Sequence, residues 1–425
     1  MNTLFRPAEW VHNCSLYEVN LRQYSKEGTF DAFSAELPRL RDMGVEVLWF
    51  MPITPISLEG RQGTLGSYYA CSDYVSTNPE FGTIADFKKL VANAHLLGFK
   101  VIIDWVANHT GLDHWWTKKH PGYYVRDAQG KFYDKHGWHD VIDLNYYNQH
   151  MRRDMIESMK FWVNECDIDG FRCDMAHLVP LDFWRTARIE LDAIKPLFWL
   201  AETEAHVYHQ AFDASYSWNW MHATEKFCNG TLGFNDLLQV LHDYRLNFPP
   251  ESLKLYFTAN HDENSWNGTE YEKYGAAAKV FAVFSCTWEG LPLIYSGQEL
   301  PNKKRLKFFD KDPIEWDGEF SLHEFYKALL DLRKMNPALR AADETAFTYR
   351  IMTSADHQVF CYMRKKDDKE VLVVLNLSAS PIADFEFRDP RIYGSFRNIF
   401  NNLVIDLDRM KPLALQPWDY QVLEK

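Results

Sequence analysis

The chain has 425 residues, 46% of them hydrophobic and 25% charged, a balance that excludes a disordered protein and a length that calls for more than one ordinary domain. With 46 basic against 59 acidic residues the formal charge is −13, so no nucleic-acid or anionic-membrane partner is expected. Aromatic residues are frequent (29 Phe, 22 Tyr, 15 Trp), offering ring surface for a ligand with flat apolar faces, of which a sugar is the leading candidate.

The opening residues lack the basic-then-apolar run of a leader peptide, and no stretch reaches the roughly 18 apolar residues of a membrane helix. Seven cysteines contain no CxxC pair and do not form a disulfide framework. A cytoplasmic, reducing location is the expectation. From residue 16 onward, short apolar runs alternate with helical patterns, the signature of parallel βα units. Eight strands are expected, at 16–24, 45–51, 100–105, 170–174, 198–201, 212–217, 255–259 and 291–295. Helices are expected at 84–97, 150–164, 274–287 and 322–335. Eight such units predict an α/β fold of the TIM (β/α)8 type, typically about 250 residues long. The excess length sits after the third strand, where 110–148 is dense in His, Trp, Tyr, Gly and Asp and has no helical period. That segment reads as an inserted loop domain on the C-terminal face of the barrel, where active sites form. Beyond the helix at 322–335, runs at 359–364, 370–377, 385–388 and 413–423 predict a small antiparallel β domain. The expected division is 1–340 for the barrel, with 110–148 inserted, and 341–425 for the C-terminal domain.

Acidic residues stand where the fourth, fifth and seventh strands end: Asp174, Glu202 and Asp262. Their spacing fits one and then two βα units, so all three should face one mouth. Arg172 lies two residues before Asp174 and on the same strand face. Working carboxylates without a metal cluster or phosphate loop point to glycoside hydrolysis, in which one attacks the sugar and another protonates the leaving oxygen. Arg172 favours an ionised Asp174, and crowding by other carboxylates favours a proton on Glu202. Glu204 competes with Glu202 for the acid role.

Four motifs in order, Asp104-Trp105-Val106-Ala107-Asn108-His109, Gly170-Phe171-Arg172-Cys173-Asp174, Phe198-Trp199-Leu200-Ala201-Glu202 and Phe257-Thr258-Ala259-Asn260-His261-Asp262, resemble those of the α-amylase family of glycoside hydrolases, family 13. Asp143-Leu144-Asn145 resembles a further short motif of that family. The resemblance implies retaining hydrolysis of α-glucosidic bonds, with Asp174 as nucleophile, Glu202 as acid and base, and Asp262 as the carboxylate that stabilises the oxocarbenium-like transition state. It also implies that Arg172 orients the nucleophile and that His109, His261 and Asp104 serve the substrate. Tyr69 would stack on the sugar, with Tyr68 as its neighbouring alternative. Trp115 and Trp116 stand as candidates for a wall of the cleft.

Three positions depart from common family patterns. His177 and Leu178 stand where many α-amylases carry Lys and His, so contacts on the leaving-group side, where His177 is a candidate, should differ. Gly66 replaces the Asp with which many exo-acting α-glucosidases hold a terminal glucose. Asn108 matches a calcium-binding position, but one amide is no calcium site, which takes about six to eight oxygens. No organic cofactor is expected, and calcium is an open possibility. Soluble maltodextrins, cleaved at α-1,4 bonds, are the expected substrate. The alternatives are a transglucosylase or trehalose-forming enzyme of the same family, and a non-catalytic sugar-binding barrel. Oligomeric state is not legible in the sequence.

Overall fold

The computed structural model describes residues 5–408 and 413–425. Eight parallel strands close into a barrel: β1 (Leu16–Val19), β2 (Val47–Phe50), β3 (Lys100–Trp105), β4 (Gly170–Cys173), β5 (Phe198–Ala201), β6 (Ala214–Tyr216), β7 (Leu253–Tyr256) and β8 (Leu291–Tyr295). Each pairs with the next in chain order and β8 closes on β1, the expected TIM barrel. The strands read as apolar runs because both faces are covered. One set of alternating residues, including Leu16, Val47, Trp49, Ile102, Leu200 and Leu255, fills the barrel interior. The other set packs against the surrounding helices, as Leu48, Phe50 and Val101 do.

The helices begin where local chemistry starts them. Thr83 and Asp86 form a reciprocal capping box on Ile84–Leu96, and the Asn148 side chain caps Gln149–Cys166. Between β3 and β4 the inserted segment is anchored by a two-stranded ribbon, His109–Gly111 against Val141–Asp143. At the other end of the chain, six antiparallel strands form one sheet, in the order Phe347–Arg350, Val359–Lys366, Lys369–Asn376, Tyr420–Glu424, Ser395–Asn398 and Val404–Asp406. Ring contacts such as Trp288 on Tyr362, at 4.8 Å, join this sheet to the barrel. Among the described residues no helix is long and apolar enough to cross a membrane.

Several boundaries differ from expectation. The first strand stops at Val19, and Leu21–Tyr24 forms a helical turn instead. Its polar side chains grip loops: Gln23 Nε2 donates to the carbonyls of Lys307 and Asp310, and Arg22 reaches Glu80. The seventh strand lies at Leu253–Tyr256, earlier than 255–259, because the chain turns at Asn260 into a π-helical turn over Glu263–Asn267. The run at 413–423 splits into Leu413–Leu415 and Tyr420–Glu424 around Pro417. The strand expected at 385–388 lies at Ile382–Phe385. The strands at 347–350, 395–398 and 404–406 lie outside the expected set: 347–350 and 404–406 bury no residue fully, and the alternation of 395–398 spans only four residues.

Gly170 opens β4 with no room for a side chain, because a Cβ there would overlap the Phe198 carbonyl of β5. Gly170→Ala should therefore destabilise the protein by about 1–3 kcal/mol, since backbone cannot yield as a flexible side chain does. Denaturant unfolding checks this, and a parent-like midpoint would contradict it.

Candidate active site

Strand register builds the site. Asp104 and Arg172 are direct partners across β3 and β4, and both point into the barrel. Arg172 is fully buried, and its Nη1 lies 2.8 Å from Asp104 Oδ1 and 3.0 Å from Asp174 Oδ1. Its Nη2 lies 2.9 Å from Glu202 Oε2, an ion pair whose N–H direction is too poor for a hydrogen bond. Asp174 and Glu202 each stand one residue beyond the register pair Cys173 and Ala201. They are therefore level on adjacent strands, whose spacing is about 4.8 Å. Next along the chain, Met175 takes a left-handed conformation (φ 40°), uncommon for a residue with a side chain. In that conformation its N–H donates to Glu202 Oε2 at 2.8 Å.

Burial dominates the electrostatics. It pushes the Glu202 carboxyl up to about 7, with Arg172 opposing and Asp174 and Asp262 adding to the rise. Asp174 is pushed up to about 6 by burial against the pull of Arg172. Arg172 does favour an ionised Asp174, as expected, but that pull is only half of the balance, because desolvation outweighs it. Both carboxyls are thus raised well above their ordinary values, and Asp174 and Asp262 add to the rise at Glu202. Asp104 is also pushed up to about 6 by burial.

A second chain of bonds runs through His261. Its Nδ1 donates to Glu18 Oε1 at 2.5 Å and its Nε2 to the Tyr69 hydroxyl at 2.7 Å, which in turn donates to Asp104 Oδ2 at 3.1 Å. Burial pulls the imidazole down, but the carboxylates of Asp262 and Glu18 overcome it and push it up to about 9. Glu18, wholly buried inside β1, escaped the sequence reading. A charged residue within an apolar strand is the signal that could have revealed it. His109, by contrast, is pulled down to about 4 by burial and stays neutral at pH 7.

These residues surround a cavity of about 310 Å³, and Asp174, Glu202, Asp262, Tyr69 and His109 all line it. Asp104 and Arg172 sit behind this surface, against its acids. His177 does not line the cavity; it is exposed on the turn Ala176–Leu178. Between the two tyrosines, Tyr69 faces the cavity while Tyr68 is buried and donates to Asn20. Glu204 points elsewhere, bonded to the Tyr244 hydroxyl and to the Asn219 N–H. The aromatic wall comes from Trp138, Trp266, Phe308 and Phe309, not from Trp115 and Trp116. Trp116 is buried in the inserted segment and Trp115 lies outside the cavity. Phe308 lies nearly parallel to Tyr69, with ring centres 6.2 Å apart, which joins Tyr69 to this aromatic wall. The loop after β8 that supplies Phe308 carries no periodic pattern to mark it. Gly66 has φ +78°, and a Cβ there would come within 2.8 Å of Ile56 Cγ2, so an Asp does not fit that position.

One group near the cavity could hold a cation. Asp134, His136 and Asp143 bring ligand atoms within 4.8 Å of one another. Asp143 is 1% exposed and neither of its oxygens has a hydrogen-bond partner; the nearest cation is Lys135 Nζ at 3.6 Å. Asn108 contributes differently: its side-chain nitrogen lies 3.3 Å from His109 Nδ1 and its carbonyl accepts from Leu144 N–H.

Replacing Glu18 by Gln keeps an oxygen for His261 Nδ1 and removes the charge. The His261 titration, followed by NMR, should then fall from about 9 toward the ordinary imidazole value near 6.5. A titration unmoved in Glu18→Gln would remove Glu18 from this role.

Residues 20–125 and 120–313 match the family described as alpha amylase, catalytic domain. A solved structure of a noncanonic maltogenic alpha-amylase, AmyB from Thermotoga neapolitana, is 30% identical, with a TM-score of 0.86 over 98% of this chain and 97% of its own. An alpha-amylase from Lactobacillus plantarum is 29% identical, with a TM-score of 0.88 over 98% and 99%. Alpha-amylase MalA from Haloarcula japonica is 26% identical over 403 residues, 88% of this chain but only 56% of the relative's length. With its catalytic-domain match spanning most of the barrel and its site motifs gathered in one mouth, the chain belongs to the α-amylase family of glycoside hydrolases.

Proposed function

We propose that the protein is a retaining glycoside hydrolase that cleaves α-glucosidic bonds, chiefly α-1,4, in soluble maltodextrins. The observation that carries this reading is the level placement of Asp174 and Glu202 on adjacent strands, joined through one guanidinium. Retaining enzymes hold their two carboxyls about 5–5.5 Å apart, close to the spacing of neighbouring strands, whereas inverting enzymes need more room for a water. The aromatic wall and the family relatives support a glucan as the ligand.

In this mechanism the Asp174 carboxylate attacks the anomeric carbon while Glu202 gives its proton to the departing glycosidic oxygen. A covalent glucosyl ester on Asp174 results. Glu202, now ionised, takes a proton from water, whose oxygen displaces Asp174 and leaves the anomeric configuration unchanged overall. Asp262 balances positive charge on the sugar ring in both transition states. Tyr69 stacks on the ring, and protonated His261 holds the Tyr69 hydroxyl in place. A sugar hydroxyl in place of water would give transfer, which longer products from maltoheptaose would reveal. The seven cysteines, none of them paired, suit a reducing compartment such as the cytoplasm.

A calcium ion fits the orphaned oxygens of Asp143 and Asp134 better than it fits Asn108 alone. It would pin the loop carrying Asp134 to the ribbon strand carrying Asp143, within the inserted segment, and take no part in the chemistry. Dialysis against a chelator should then lower the melting temperature by several degrees, and calcium should restore it. An unchanged melt would mean that the Lys135 ammonium suffices to balance Asp143.

Asp174→Asn should cut turnover of maltoheptaose at least 10³-fold, on the order of 4 kcal/mol, while leaving its binding measurable by calorimetry. Retained turnover would remove Asp174 as nucleophile. The pH profile of kcat/KM should rise as Asp174 loses its proton through about 6 and fall as Glu202 loses its proton through about 7. The maximum should lie between these values, and a flat profile from pH 5 to 9 would contradict the assignment.

A further inference from the structure

Trp115, excluded from the catalytic cavity, is 44% exposed, unusual for so large a ring. It is not loose. Its indole N–H lies 3.3 Å from Asp73 Oδ1, and Asp73 is itself fixed by the Val75 N–H and the Ser76 hydroxyl. Buried His114 lies stacked beside it, at 6.0 Å and 20°. The ring borders a second open cavity of about 680 Å³, between the loop after β2 and the inserted segment. Leu58 (71% exposed) and Pro79 add apolar surface there, while half-buried Arg61 and Ser72 offer polar groups at the edge. A rigid exposed indole with hydrogen-bonding groups around it suits the apolar face and the hydroxyl rim of a pyranose ring.

The second cavity adjoins the first. Gln62 lines the catalytic cavity and its chain neighbour Arg61 lines this one, so a single turn of the loop after β2 separates them. We propose that the Trp115 groove is an accessory binding site for an α-glucan segment, engaged by chains long enough to pass over the turn at residues 59–66. The inference rests on the α-glucan reading of the active site and adds to it a source of chain-length preference. Tethering at a second site raises the local concentration of the rest of the same chain at the cleft.

The test uses maltotriose, maltoheptaose and soluble starch with Trp115→Ala, made alone and in the Asp174→Asn background. Calorimetry of Asp174→Asn with maltotriose, too short to span both sites, should show two binding events, and adding Trp115→Ala should leave one. In the otherwise unaltered enzyme, Trp115→Ala should lower kcat/KM for soluble starch about 5–10-fold, the loss of one ring-stacking contact, and leave that for maltotriose unchanged. A single event in Asp174→Asn, or equal losses on both substrates, would overturn the accessory site and leave the active-site assignment intact. No binding of maltoheptaose at all would instead overturn the glucan reading itself. A melting curve like the parent's shows that Trp115→Ala is folded.

Discussion

A guanidinium at zero exposure, with carboxylates of Asp104, Asp174 and Glu202 within 3.0 Å, is the interaction on which the site depends. Burial opposes every one of these charges, and each is tolerable only because the others are present. Asp104 and Glu202 keep Arg172 protonated despite its burial. Arg172 in turn limits how far Asp174 and Glu202 rise. Taking one member from such a buried network typically costs about 3–5 kcal/mol, so Arg172 is a structural necessity as well as an orienting group. The faces of Trp49, Tyr216 and Tyr69 lie within 5.9 Å of the guanidinium and leave it little freedom to turn.

A second buried arginine does for the loops what Arg172 does for the strand ends. Arg22 pairs with Glu80 and donates to the carbonyls of Gly66 and Phe308. Those carbonyls belong to the loops after β2 and β8, which carry Tyr69 and Phe308 toward the substrate. The strained turn at Met175 and the π-helical turn after Asp262 complete the frame, since irregular backbone is tolerated where it aims a group. The floor of the cleft is thus held by charge and its walls by rings.

The sequence was most legible where chemistry and periodicity coincide. Strand ends carrying Asp174 and Glu202 announced themselves because an acid directly after an apolar run has few other reasons to be there. Asp262 is legible as a residue, but its strand ends earlier than the pattern suggests, since Phe257 and Ala259 extend the apolar run past the last ladder bond. Glu18 was hidden inside an apolar strand, and its partner His261 lies 243 positions along the chain. The walls were least legible. Trp138, Trp266 and Phe308 come from irregular segments whose paths depend on distant contacts, and nothing local separated them from Trp115, which lies beyond the cavity. His177 matched a motif by position, but the turn that carries it leaves its ring outside. In the C-terminal sheet the pattern places best the strands buried on both faces, Val359–Lys366 and Lys369–Asn376, and misplaces or misses those with few buried positions.

In the proposed mechanism Arg172 holds Asp174 ready to attack while Glu202 keeps the proton. This is tested most directly by quenching the enzyme during turnover of a slowly released fluorinated α-glucosyl substrate and mapping the attached sugar by mass spectrometry. The expected result is a sugar ester on the peptide carrying Asp174, together with first-formed products of α configuration. A label on Glu202 or Asp262, or products released as the β anomer with no label, would contradict it.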